Sequence, residues 1–266
     1  MSLDDFLVED AFEDDITTSV INESACTASI IVNEDCVLAG IDESRELFSS
    51  QGIKVLFSRK DGELCSEGEE VMSIEGSNKI MFPVVRAALN LLGRMSGVAS
   101  MCAKAEKIAS RYGVKTAVTR KTMPGLRFYD KKAASIGGSW GHRRDLSDMF
   151  LFKKTHLSYL DGIGEAVKKA RAFDKTKKID VEVTSLEEAL EAARAGADIV
   201  MLDNFSVLEA KKAISALREF DIKIEVSGGI DLDTLEAYAR LKPDLISMGC
   251  LTKSVDSIDF SLRIKE

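Results

Sequence analysis

The sequence predicts an α/β chain in which a small β-rich part precedes a parallel α/β barrel. Short alternating runs between Cys26 and Gly76 predict a sheet, because strands place successive side chains on opposite faces. Beyond Lys178 strand and helix alternate regularly with short connections, the pattern of βα units. Polar residues recur at the ends of those strands, where the loops of a barrel converge.

In chain order, Thr27 to Val32, Ile53 to Phe57 and Val71 to Glu75 read as strands, separated by turns such as Asp61-Gly62, with a helix near Glu43 to Ser50. Phe82 to Tyr112 is helical, with Val85, Ala88, Leu89, Leu92 and Met95 at three- and four-residue steps. Gly93 and Gly97 interrupt that pattern, so two helices or one kinked helix are expected. Val114 to Thr119 is strand-like, and Pro124-Gly125 forms a turn. Lys178 to Val183 is a strand, and Ser185 begins a helix with a capping box that closes at Gly196. Asp198 to Asp203, Ile222 to Ser227 and Asp244 to Gly249 are further strands, with helices over about 206–219 and 232–241 between them. Glu182, Asp203, Ser227 and Gly249 each close a strand, and four such residues in register predict a shared site.

Composition narrows the function. With 266 residues, the chain can bury a sizeable core. Its formal charge of −8 disfavours general binding to nucleic acid, which needs a broad basic surface. No run approaches the roughly 20 apolar residues that span a bilayer. The first basic side chain is Arg45, so no secretory signal is expected. Five scattered cysteines without a C-x-x-C pair fit reduced thiols in a cytoplasm. The acidic start, Asp4 to Asp15, reads as a solvated, partly helical arm.

Between Lys115 and His156 the charge reverses. Ten basic side chains (Lys115, Arg120, Lys121, Arg127, Lys131, Lys132, Arg143, Arg144, Lys153, Lys154) face three acids (Asp130, Asp145, Asp148), and both histidines, His142 and His156, lie there. A local cluster of cations among glycines, in an otherwise acidic chain, points to a small anionic ligand. Arg120, Lys121, His142, Arg143 and Lys153 sit beside glycines or strand ends and are the site candidates. Lys131, Lys132, Arg144 and Lys154 read as a solvated face. Trp140 could wall an aromatic ligand or simply pack. Glu182 and Asp203 could hold Mg²⁺, hydrogen-bond ribose hydroxyls or pair with lysines. Ser227-Gly228-Gly229 and Ser247-Met248-Gly249 offer backbone N–H groups near helix starts, where phosphate binds.

These residues reach a known pattern. Thr119 to Arg127 (Thr-Arg-Lys-Thr-Met-Pro-Gly-Leu-Arg), Gly137-Gly138 with His142-Arg143, and Lys153-x-x-His156 closely resemble quinolinate phosphoribosyltransferase, the carboxylating nicotinate-nucleotide pyrophosphorylase. Asp15-Ile-Thr-Thr, Arg86-x-x-x-Asn90, Ser96-Gly97, Glu182-Val183, Leu202-Asp203-Asn204, Ser227 to Ile230 and Ser247-x-Gly249 follow in the family's order. The resemblance implies an N-terminal α/β sandwich (1–100) and an incomplete parallel α/β barrel of the type II phosphoribosyltransferase kind (101–253). A tail (254–266) would pack back on the first part. It also implies a homodimer with shared sites. The implied reaction joins quinolinate to phosphoribosyl pyrophosphate with Mg²⁺, yielding nicotinate mononucleotide, pyrophosphate and CO₂ for NAD synthesis. By the same resemblance Arg120, His142, Arg143 and Lys153 would grip the quinolinate carboxylates, and Arg86 would reach in from the partner subunit. Lys121, Glu182 and Asp203 would serve the donor and metal as catalytic groups, and Ser227, Gly228, Gly229 and Gly249 would bind the 5′-phosphate.

The chain departs from the family's usual pattern at Met123, Ser139, Gly141, Lys154-Thr155 and Lys253. Changes around retained ligands can alter specificity or rate. Two further readings fit the same residues. One is a divergent pyrophosphorylase of the type encoded with molybdenum-transport genes, acting on another aromatic acid. The other is a non-catalytic barrel that binds a phosphorylated metabolite.

Overall fold

A computed structural model describes residues 2–265. The chain divides into two compact units, one of residues 1–103, 123–138 and 255–266, the other of residues 104–122 and 139–254. The segment 123–138, which a simple division at residue 100 assigns to the barrel, clusters instead with the first unit. A buried ion pair accounts for its place there. The Arg94 guanidinium donates Nε and Nη2 to the two Asp130 carboxylate oxygens at 2.8 Å each, with Arg94 7 % and Asp130 0 % exposed. Asp130 also accepts the Met123 N–H. Nearby, Lys132 donates to the buried Glu43 at 2.8 Å, and Lys131 is itself buried. The expected solvated face is therefore wrong for these two lysines, while Arg144 and Lys154 are exposed.

The first unit is built on an antiparallel sheet with strand order Phe260–Lys265, Ala25–Val32, Glu70–Ser77 and Lys54–Ser58. Its inward residues Ala28, Ile30, Val32, Met72 and Ile74 are fully buried, as the alternation requires. The helix Ile41–Ser50 contributes Leu47 and Phe48 to the same core. Near the N-terminus a short helix, Leu3–Glu9, buries Leu7, and Asp15 caps Ile16–Ser19 by accepting the N–H groups of Thr17 and Thr18.

One continuous helix covers Asn78–Ala109, so Gly93 and Gly97 do not break it. They serve close packing. A β-carbon on Gly93 would lie 2.7 Å from the Ile258 carbonyl oxygen, and one on Gly97 would lie 2.2 Å from that of Asp256. The C-terminal segment runs against this glycine groove, and Ile258 donates its N–H to the Gly93 carbonyl at 3.0 Å. The segment then enters the sheet edge as Phe260–Lys265, paired with Ala25–Val32.

The second unit carries a parallel sheet with strand order Lys115–Val118, Leu245–Met248, Lys223–Ser227, Ile199–Asp203, Ile179–Val183 and Phe150–Phe152. The first strand in sequence thus pairs with the last, as in a barrel, but no described ladder joins Lys115–Val118 to Phe150–Phe152. Trp140 takes that side, forming a parallel bridge to Ala117, donating its N–H to Thr116 and accepting that of Val118. Helices Leu186–Ala195, Val207–Leu217 and Leu232–Ala239 follow their strands, each opened by a side-chain cap from Ser185, Ser206 or Asp231.

Gly97→Ala should destabilise the chain by about 1–3 kcal/mol through overpacking against Asp256. Urea unfolding, with protease sensitivity of the C-terminal segment, measures this, and an unchanged midpoint would rule the groove out.

Candidate active site

A cavity of about 460 Å³ in the second unit is lined by Arg120, Lys121, His142, Arg143, Lys153, Glu182, Asp203, Ser227, Gly228 and Gly229, with Thr119, Asn204, Glu225 and Ser247 among its other walls. Most of these follow directly from strand ends. Arg120 and Lys121 come just after Lys115–Val118, and their backbone is held twice. Lys121 donates its N–H to the Thr119 hydroxyl at 3.1 Å, and the Thr252 hydroxyl donates to the Lys121 carbonyl at 2.8 Å. Ser139 shares a hydrogen bond with the buried Thr116 hydroxyl at 2.6 Å.

Lys153 follows Phe150–Phe152, and its ammonium pairs with the Glu182 carboxylate. His156 steadies the turn, its Nδ1 accepting the Lys153 N–H at 3.0 Å. Asp203 ends the neighbouring strand. Its carboxyl is raised by burial and by the charge of Glu182, so the two acids are close enough to repel. Asn204, at φ +58°, donates its side-chain amide to Asp203 at 2.7 Å and its backbone N–H to the Ser227 carbonyl at 2.9 Å.

The next residue across, Gly228, cannot be anything larger. Its φ is +100°, and a β-carbon would lie 2.5 Å from both the backbone nitrogen and Oδ1 of Asn204. Gly249 lies beside the cavity, its hypothetical β-carbon 3.2 Å from Lys121 Cδ.

The cations carry the electrostatic character. Arg143 is 9 % exposed, and its guanidinium is held below the usual range by burial and then by the neighbouring Arg120 charge. Arg120 Nε is buried without a hydrogen-bond partner. Two neighbouring guanidiniums, one with an unused buried donor, favour an anion between them. Glu182 and Asp203 offer hard carboxylate oxygens whose mutual repulsion a divalent cation would relieve, and this donor set fits Mg²⁺.

A second acidic group lies under the cations and escaped the sequence reading. Asp180 and Glu225 are both 0 % exposed, and the His142 ring meets them through Nε2, at 3.0 Å from Glu225 and 3.4 Å from Asp180. Burial opposes charge on the ring, but the hydrogen bonds and negative charge of Asp180 and Glu225 outweigh it and push His142 up to about 9. Asp180 is raised to about 7, by its burial and by Glu225 beside it. Both directions reflect one coupled cluster in which the ring and the two buried carboxyl groups face each other. Arg143 donates its N–H to His142 Nδ1 at 2.7 Å. Both ring nitrogens have partners within the chain, and His142 lines the cavity beside Arg143. The signal was available: Asp180 and Glu225 sit two residues before Glu182 and Ser227, on the same strand faces.

Trp140 does not line this cavity but packs its ring 4.8 Å from that of His142, centroid to centroid. Arg86 belongs to the first unit, where it lines a smaller cavity of about 280 Å³ with Asn90, Gly93 and Ser257.

Comparison with known proteins identifies the frame. Residues 15–96 match the N-terminal domain of quinolinate phosphoribosyl transferase, and residues 98–263 match its C-terminal domain. The chain belongs to this family. It is 40 % identical over 243 residues to a probable carboxylating nicotinate-nucleotide pyrophosphorylase of Archaeoglobus fulgidus, covering 89 % of this chain and 93 % of that one. It is 35 % identical over 267 residues to the human nicotinate-nucleotide pyrophosphorylase, covering 98 % and 90 %. The nicotinate-nucleotide pyrophosphorylase structure from Francisella tularensis superposes with a TM-score of 0.93 at 34 % identity, over 99 % of this chain and 96 % of that one. These likenesses place the chain among α/β enzymes with a small sheet unit and a six-stranded parallel sheet.

Gly228→Ala should cost about 1–3 kcal/mol, because the Asn204 backbone cannot give way as a flexible side chain could. Thermal unfolding measures it, and a variant as stable as the parent would show that the turn is looser than its φ implies.

Proposed function

We propose that the chain catalyses phosphoribosyl transfer from phosphoribosyl pyrophosphate to quinolinate with decarboxylation, giving nicotinate mononucleotide, pyrophosphate and CO₂ as a step of NAD synthesis. The observation that carries this reading is the meeting of Arg120, Lys121, Arg143 and Lys153 with Glu182 and Asp203 around one cavity of about 460 Å³. A twofold-negative aromatic acid suits the guanidiniums, while a phosphorylated ribose suits the acids and the Gly228-Gly229 turn. The matched family's name favours quinolinate over another aromatic acid, and the retained acids beside Lys121 disfavour a silent binder.

Arg120 and Arg143, with Lys153, would hold the two carboxylates so that the pyridine nitrogen faces the ribose C1. Such positioning can contribute up to roughly 10 kcal/mol. Glu182 and Asp203 stabilise the positive character that develops at C1 as the bond to pyrophosphate breaks. Mg²⁺, held by Glu182 and Asp203, would supply countercharge to the departing pyrophosphate. Lys121 would add its own charge there. The new bond leaves the ring nitrogen cationic. It then accepts the electron pair released when the adjacent carboxylate leaves as CO₂, and the ring carbon takes a proton from solvent. Arg86 would complete the site of a partner subunit in a homodimer. The five free thiols support a reducing, cytoplasmic setting.

An assay with quinolinate, phosphoribosyl pyrophosphate and Mg²⁺ should show loss of the diacid and equal formation of nicotinate mononucleotide. Turnover of nicotinate but not quinolinate would contradict the assignment. Arg120→Ala should raise KM for quinolinate roughly 10- to 100-fold, the worth of about 1.5–3 kcal/mol for charge-assisted hydrogen bonds. Dimers mixing Arg86→Ala with Lys121→Ala subunits should regain activity through one intact site; mixed dimers that form yet stay inactive would refute site sharing.

A further inference from the structure

We propose that the floor of the barrel, at the strand starts and so at the opposite end from the cavity described above, holds a second anion site fitted to a nucleotide with two or more phosphates. A cavity of about 570 Å³ opens there, within the range of small-molecule sites. Lys115, Lys178, Arg218, Lys223 and Lys242 stand on its walls against Asp244, all within the second unit. That excess of cations around one hollow reverses the balance of a chain whose formal charge is −8.

The strands and helices set these charges in place. Lys115 and Lys223 begin their strands, and Lys178 directly precedes Ile179–Val183. Arg218 follows the helix Val207–Leu217 and donates to the carbonyl of Lys242, which lies past Leu232–Ala239 at φ +57°. A cation at a helix C-terminus offsets the helix dipole, which accounts for Arg218 and Lys242 without a ligand. Lys178 and Lys223 have no such reason. The acids at this end are already engaged. Glu106 pairs with Lys115 at 2.9 Å, Asp198 accepts from Arg171 and from the Ile179 N–H at 2.7 Å each, and Asp244 accepts the Ile224 N–H at 2.9 Å. Among the described residues, no carboxylate pairs with the ammonium group of Lys178, Lys223 or Lys242.

Like charges around one hollow repel each other, and an anion carrying several charges relieves that repulsion. Ammonium groups act as point charges that suit phosphate oxygens. Trp140 supplies the other half of the recognition. Its half-buried ring is a wall of the same cavity, an apolar plane beside the lysines on which a base can stack.

Trp140 is the chain's one tryptophan, so its fluorescence reads the floor directly. The same ring packs 4.8 Å from that of His142, so a nucleotide in the strand-end cavity could move the signal too, and variants at each end separate the two. ADP is titrated without Mg²⁺ at low ionic strength, with pyrophosphate as the comparison that lacks a ring. A saturable change is expected. Lys178→Gln with Lys223→Gln should weaken ADP binding about tenfold or more, whereas Lys121→Ala should change it less than about twofold. Both floor lysines are exposed, so the double variant should keep the parent's unfolding midpoint, and Lys223→Gln alone should show part of the loss. ADP should bind about tenfold more tightly than pyrophosphate through the stacked base. No saturable change, or one lost in Lys121→Ala and kept in the floor variants, would overturn the second site. Equal affinity for pyrophosphate would overturn the nucleotide class. Quinolinate takes no part in this titration, so the floor site stands or falls apart from the activity proposed above.

Discussion

Everything at this site depends on keeping like charges together inside a barrel. Arg120, Arg143 and Lys153 converge on one cavity, and Arg143 is almost wholly buried beside Arg120. Such a group survives only with countercharge nearby, because an uncompensated buried cation costs far more than folding can spare. The chain supplies that countercharge in two tiers. Glu182 and Asp203 lie at the strand ends, and Asp180 and Glu225 lie two residues deeper on the same strand faces. The upper tier faces the cavity and can meet ligands. The lower tier is buried and meets His142, with Glu225 also reaching the cavity wall.

The period of the strands generates this layering. Asp180 with Glu182, Met201 with Asp203, and Glu225 with Ser227 are pairs separated by one outward residue, and the parallel register sets Ser227 opposite Asp203 and Glu225 opposite Met201. A few short strands therefore build both the floor and the rim. The turn residues complete the rim by close approach, with Gly228 against Asn204 and Thr252 against the Lys121 carbonyl.

Much of this was legible in the sequence. The strand–helix alternation after Lys178 and the polar strand ends are strong local signals, and the structure brings Glu182, Asp203 and Ser227 to one cavity as that register demands. The basic cluster was legible as a group, and its loop-placed members were separable from the rest. Lys131 and Lys132 read as a solvated face, yet tertiary packing buries one and pairs the other with Glu43. The glycines of the long helix misled for the same reason. Gly93 and Gly97 look like breaks, but they make room for Asp256 and Ile258, residues far away in sequence. The lower acid tier was missed because Asp180 and Glu225 sit inside apolar runs, where alternation alone marks them as inward and only the three-dimensional partner, His142, explains why an acid is there.

The most direct test of charge complementarity is a comparison of two ligands by titration calorimetry. Quinolinate and its one-carboxylate relative nicotinate differ by the single group that the second cation would hold. A diacid preference of about tenfold or more, abolished in Arg120→Ala, is the result that paired guanidiniums predict. Equal affinity for both acids, or a preference untouched by that substitution, would contradict it.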